Sequence, residues 1–183
     1  MRHKIALFIF AAAFALAGAP GLAQKADRPI EDFFGTYVGR SISTIGDDLS
    51  DRDLNVTIKK HKKGFAVEWA TVLRRPDGST KSRTYSINFF KSGRPGIFKS
   101  AMRNNVFGAA MPLDPLKGDP YLWAGINGDT LTIHAMIITD TGGYEMQVYD
   151  RTLTEDGLFL KFSRNRDGAP LRFITGTLKR VKE

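Results

Sequence analysis

The chain has 183 residues, no cysteine, and 27 basic against 19 acidic residues, a formal charge of +8. That length buries a core unaided and suits a single domain, while the lack of cysteine excludes disulfides, thiolate metal sites and a cysteine-linked lipid anchor. The positive excess favours anionic neighbours such as an acidic envelope surface, although the densest basic cluster, Lys59-Lys60-His61-Lys62-Lys63, is short.

The first segment reads as an address. Arg2, His3 and Lys4 precede an apolar run from Ile5 to Ala17, and Gly21-Leu22-Ala23 offers the small residues that a signal peptidase reads. The run is shorter than the ~20 residues a spanning helix needs, and polar Gln24-Lys25-Ala26-Asp27 follows it. Residues 1–23 are expected to be a cleaved, bacterial-looking secretory signal. Residues 24–183 then form one domain, periplasmic or secreted and not membrane-spanning, with 25 basic and 19 acidic residues and a charge of +6.

Pro29 to Phe34 has the Pro and the acidic residues of one helical turn, after which strands begin. Phe34 to Ile45 is rich in Tyr, Val, Ile, Ser and Thr. Leu54, Val56 and Ile58 alternate with Asn55, Thr57 and Lys59, the pattern of a strand with one buried face. Beyond the turn at His61–Gly64, Phe65, Val67, Trp69, Thr71 and Leu73 share one side. Pro76-Asp77-Gly78 turns the chain into Tyr85, Ile87 and Phe89, and Ser92–Gly96 ends that run before a short strand at Ile97–Met102. Asn127-Gly128 is a type I′ hairpin dipeptide between Tyr121–Ile126 and Thr130–Thr139. In Tyr144–Thr154, Tyr144, Met146 and Val148 oppose Glu145, Gln147 and Arg151. Leu158–Arg164 and Pro170–Lys182 complete the series, each introduced by an acidic residue and glycine.

Short strands at even spacing, joined by hairpins, predict an all-β fold: a single antiparallel up-and-down β-barrel of eight to ten strands. Only 101–120 is a long connection. Its Phe107, Met111 and Leu113 either cover the mouth of a cavity or plug one end of the barrel as core.

The chemistry-bearing residues are sparse. His61 lies in a turn and His134 in a strand, without metal-ligand spacing. Asp47 to Asp53 is acidic but lacks the glycine and terminal glutamate of an EF-hand loop. Neither a nucleophile elbow nor a glycine-rich phosphate loop is present, so no catalytic residue, cofactor or metal is predicted. Glu68 and Glu145 are the in-strand carboxylates a sugar hydrolase would need, yet an outward, solvated position explains both. Nucleic acid is not an expected partner of an exported chain. An outer-membrane barrel would turn its apolar faces outward; Lys59, Glu68, Arg151 and Lys161 spread over the polar faces instead suit a solvated exterior.

Phe33-Phe34-Gly35-Thr36-Tyr37-Val38-Gly39 resembles the opening of the calycin barrels, the lipocalin and fatty-acid-binding group. There a short helical turn leads into Gly-x-Trp on the first strand; here Tyr37 stands at the Trp position. The resemblance implies that Tyr37 closes the base, with Arg180 or Lys179 of the last strand packed over it. It also implies an internal site for a small apolar or amphipathic molecule and no catalytic residues.

On this reading the protein binds such a molecule without catalysis. Val56, Ile58, Trp69, Tyr85, Phe89, Ile133, Met146 and Phe162 would form the apolar wall, with Phe107 and Met111 at the mouth. Arg83 and His134 would orient a polar head. The same residues would also make a solid core. The rival is an interaction module that inhibits or escorts another exported protein through Lys59–Lys63 and Val106–Leu113.

Overall fold

The computed structural model describes residues 26–43, 52–74, 78–100, 103–104, 110–111 and 113–181. The expected signal segment, the acidic loop at 44–51, Phe107 and the side chain of Met111 lie outside the described residues. In chain order the strands are β1 (Gly35–Ser43), β2 (Arg52–His61), β3 (Gly64–Arg74), β4 (Thr80–Lys91), β5 (Ile97–Ser100) and β6 (Arg103–Asn104). They continue with β7 (Ala110–Met111), β8 (Tyr121–Asn127), β9 (Thr130–Ile138), β10 (Tyr144–Leu153), β11 (Gly157–Arg166) and β12 (Ala169–Arg180).

Ten of these close an antiparallel barrel in the order β1-β12-β11-β10-β9-β8-β5-β4-β3-β2, while β6 and β7 pair only with each other. Chain neighbours are therefore sheet neighbours, the up-and-down order expected from the hairpins. Closure removes the two free edges that an open meander would expose. One stretch of wall is thin. β5 meets β4 only at Phe89–Lys91, so Thr80–Asn88 pairs along one side alone, with β3, among the described residues.

The turns obey backbone sterics. Asp167 and Gly168 both have positive φ, 49° and 83°, as a type I′ hairpin requires. Tyr144 is tied to the same turn, its N–H donating to the Asp167 carboxylate at 2.8 Å. The expected I′ turn at Asn127-Gly128 is displaced by one residue. Asn127 pairs with Thr130, which leaves Gly128-Asp129 as the loop, with only Gly128 at positive φ (54°), the type II′ pattern.

One end of the barrel is solid. A single 3-10 turn, Ile30–Phe33, carries Phe33 across the base, and Tyr37 rises beside it, both fully buried. The Tyr37 hydroxyl donates to the Phe33 carbonyl at 2.9 Å and accepts from Arg180 Nη2 at 2.7 Å. Arg180 also donates to the Asp32 carbonyl, and its guanidinium lies 5.2 Å from the Tyr37 ring centre. The basic residue of the last strand thus packs over the aromatic of the first, and it is Arg180 that does so. Around this plug pack Val56, Ile58, Phe65, Val67, Phe89, Leu131, Ile133, Leu158 and Leu178, all buried. Phe65 alone meets Phe89 at 5.2 Å and Phe98 edge-on at 5.0 Å.

The entering chain is pinned over this end. The Asp27 carboxylate accepts from Gly128 N–H at 2.8 Å, and Arg28 Nε donates to Asp129 at 3.0 Å. The outer wall is mixed: Lys59 meets Glu68 at 2.9 Å, and Thr36–Thr57 and Thr130–Thr152 hydrogen-bond across strands, while Val38, Ile42 and Phe159 are exposed.

Candidate functional site

Above the plug the interior stays open. A cavity of about 410 Å³ is lined by β1, β2, β3, β4, β10, β11 and β12. It lies toward the end where β11 turns into β12, opposite the end that Phe33 and Tyr37 close. Leu54, Val56, Leu160 and Ile174 supply its aliphatic wall, and Trp69, Tyr85, Tyr149 and Phe162 an aromatic belt.

Register builds that belt. Trp69 faces Tyr85 across β3–β4, and Tyr149 faces Phe162 across β10–β11. Directly opposed residues on one face lie close enough for their rings to meet. The two ring pairs have centres 5.1 and 4.7 Å apart. Trp69 and Tyr149, from strands that are not neighbours, then touch across the lumen at 5.6 Å.

The belt is crowded by positive charge. Lys81, Arg83, Arg151, Arg164 and Arg172 line the cavity, and among the described residues no Asp or Glu does. Arg151 is the extreme member. Its relative exposure is 1%, and its guanidinium sits 5.7 Å from the ring centres of both Trp69 and Tyr149. Its Nε and Nη1 are buried with no hydrogen-bond partner. Burial pulls Arg151 down to about 10, which still leaves it cationic at neutral pH.

Arg164, in contrast, has a carboxylate partner for its Nη2, although its Nε too is buried without a hydrogen-bond partner. It donates to Glu145 Oε2 at 2.6 Å, with Arg166 at 3.2 Å on the same oxygen. Gln147 donates to Glu145 Oε1, and the Tyr149 hydroxyl donates to Gln147 Oε1 at 2.8 Å. The hydrogen bond from Arg164, backed by those from Gln147 and Arg166, holds the Glu145 carboxyl down at about 2. Burial drives the Tyr149 hydroxyl up to about 12, so it stays protonated as a donor.

Of the residues named from sequence, Val56, Trp69, Arg83, Tyr85 and Phe162 line this cavity. Ile58, Phe89 and Ile133 lie lower, in the packed core. Phe107 and the Met111 side chain fall outside the described residues.

Four placements are corrections. Gln147, Tyr149 and Arg151 face inward, so Met146 lies on the opposite face of β10, paired with Met136. His134 alternates with the buried Leu131, Ile133 and Ala135, and it stacks on Trp123 at 4.6 Å on the outer side of β9. Burial against that ring lowers its pKa, opposed by Asp150. Glu145 and Arg151, expected on a solvated exterior, are buried instead. What reverses β10 is that its inward polar side chains find partners or open space, so hydrophobicity no longer chooses the face.

A second hollow of about 480 Å³ lies along β5 and β8, between Ile97, Phe98, Lys99, Leu122 and Trp123. Tyr121 at its margin is half exposed. Among the described residues there is no cluster of metal-ligating side chains, and no helix is long and apolar enough to cross a membrane. Neither the protein-family models nor the curated proteins contain a match to this chain.

Proposed function

We propose that the protein is an exported, non-catalytic barrel that binds a small hydrophobic or amphipathic molecule in the open half of its interior. The observation that carries this reading is the cavity itself. Its volume of about 410 Å³ falls in the range of small-molecule sites, roughly 300–1,000 Å³. Aromatic and aliphatic walls with a few convergent polar groups are the usual lining of such sites. Burying ligand surface against Trp69, Tyr85 and Phe162 gains roughly 25 cal/mol per Å² of apolar area.

The Tyr37–Arg180 packing at the base supports the calycin likeness, and with it a carrier role for the opposite end. The inward core and the outer Lys59–Glu68 pair favour a solvated barrel over one embedded in lipid. The leader at 1–23 favours the periplasm or the medium, where the positive excess would meet an anionic envelope.

A second reading, contact with another exported protein, draws on the hollow beside half-exposed Tyr121.

Extraction of protein purified without detergent, followed by mass spectrometry, is expected to release one bound compound class in near-stoichiometric amount. A neutral fluorophore, N-phenyl-1-naphthylamine, is expected to bind saturably at one site. Protein that releases nothing and binds no dye would leave the interaction reading in its place.

A further inference from the structure

Arg151 is a cation in the wrong place for a carrier of neutral grease. Removing a charge from water costs several kcal/mol after relaxation, and proteins normally offset it with a counterion. None is at hand. Glu145 already serves Arg164 and Arg166. Asp150, next in the chain, belongs to the opposite face and accepts from the Thr132 hydroxyl at 2.8 Å. The faces of Trp69 and Tyr149 compensate part of the charge, but a ring face leaves the Nε and Nη1 hydrogens without an acceptor. Ser41, on the same cavity wall, has an unpartnered buried hydroxyl as well. Buried polar groups without partners are rare, and in a cavity wall they mark where a bound group completes the set.

The rest of the lining agrees. Lys81, Arg83 and Arg172 stand around the cavity, and a cleft lined by one sign of charge concentrates ions of the other. Volume narrows the choice further: about 410 Å³ is near the lower end for small-molecule sites.

We infer that the cavity takes a compact organic anion, its acid group seated on Arg151 and its body against the belt of Trp69, Tyr85, Tyr149 and Phe162. This rests on the cavity-binding reading above and adds the chemistry and the orientation of the ligand. The acid points inward, toward Arg151, so the ligand enters charge first. The outer cations steer that entry, and Arg151 holds the acid once inside.

Two dyes separate the inference from the reading beneath it. 8-Anilinonaphthalene-1-sulfonate is an aromatic acid of suitable size, and N-phenyl-1-naphthylamine has the same rings without the sulfonate. With the unmodified protein, the sulfonate is expected to bind at least about tenfold more tightly, the worth of one charge-assisted contact. In Arg151→Met the ratio of the two affinities should collapse to within about threefold, whatever the substitution does to both dyes in common.

Should that variant lose its β-sheet circular dichroism, Arg151→Lys carries the same test. Its compact ammonium lacks the planar fork, and sulfonate affinity should fall at least about threefold. Equal binding of both dyes to the unmodified protein overturns the acid seat and leaves the cavity reading intact. A sulfonate preference that survives unchanged in the Arg151 variants also overturns the seat, because the outer cations then account for it. Binding of neither dye overturns both.

Discussion

The same strands build both ends of this barrel, and they build them differently. On β10 and β11 the inward residues nearest the plug are Leu153 and Leu158, then Arg151 and Leu160, and farther along come Tyr149, Gln147, Arg164 and Glu145. On β3 and β4, Phe65, Val67 and Phe89 give way to Trp69, Thr71, Tyr85, Arg83 and Lys81. Toward the base the side chains interdigitate and are fully buried; toward the other end polar heads ring an open space. On the proposed reading, stability and binding fall to opposite ends of each strand, so either can change with little effect on the other.

The largest effect that should break this division comes from the base. Phe65→Ala removes a ring packed on Phe89 and Phe98, and it should lower the unfolding free energy by about 3–5 kcal/mol in urea titration. Tyr85→Ala, beside the cavity and 43% exposed, should change it by less than about 1 kcal/mol.

Acid should attack the other end. The Glu145 carboxyl titrates at about 2 in the folded chain and near 4.5 when unfolded, so its contribution is complete above 4.5 and is lost as pH falls toward 2. At 1.36 kcal/mol per unit this amounts to about 3 kcal/mol, and Glu145→Gln should abolish that part of the acid dependence of urea midpoints.

Arg151→Met should do the opposite of a normal core truncation. With no ligand bound it removes an uncompensated charge and fills the same space with methylenes, so the thermal midpoint should rise by the equivalent of about 2 kcal/mol. A fall would mean that the contacts with Trp69 and Tyr149 already compensate the guanidinium. A smaller effect sharpens the comparison at the base. Tyr37→Phe deletes the hydroxyl between Phe33 and Arg180, costing about 1–2 kcal/mol in stability while dye affinity is unchanged.

Period-two alternation made most of the barrel legible, because the inward face is apolar from Leu54 to Ile58 on β2, from Phe65 to Trp69 on β3 and from Tyr85 to Phe89 on β4. The turns were legible for steric reasons, as at Asp167-Gly168, though Asn127-Gly128 slipped by one residue where glycine suited either register. The cavity was half legible. Val56, Trp69, Tyr85 and Phe162 sit on plainly apolar faces, and Arg83 falls in phase with Tyr85.

β10 was not legible. Tyr144, Met146 and Val148 form the more apolar alternate set, so the pattern itself points to the wrong face. Only the pairing of Tyr149 with Phe162 and Ile133, both inward, settles the direction. An arginine among large aromatics could have been the signal, but its buried role depends on Trp69, which is eighty-odd residues away in sequence.

Both tryptophans of the chain have now been placed, and they report on different surroundings. Trp69 looks into the hollow, whereas Trp123 lies flat against the imidazole of His134 on the outer wall. Replacing Trp123 by phenylalanine would leave a barrel whose tryptophan emission comes from its interior alone. Any unlabelled molecule that enters would then announce itself as quenching or a change of colour, with no dye, tag or radioactivity required.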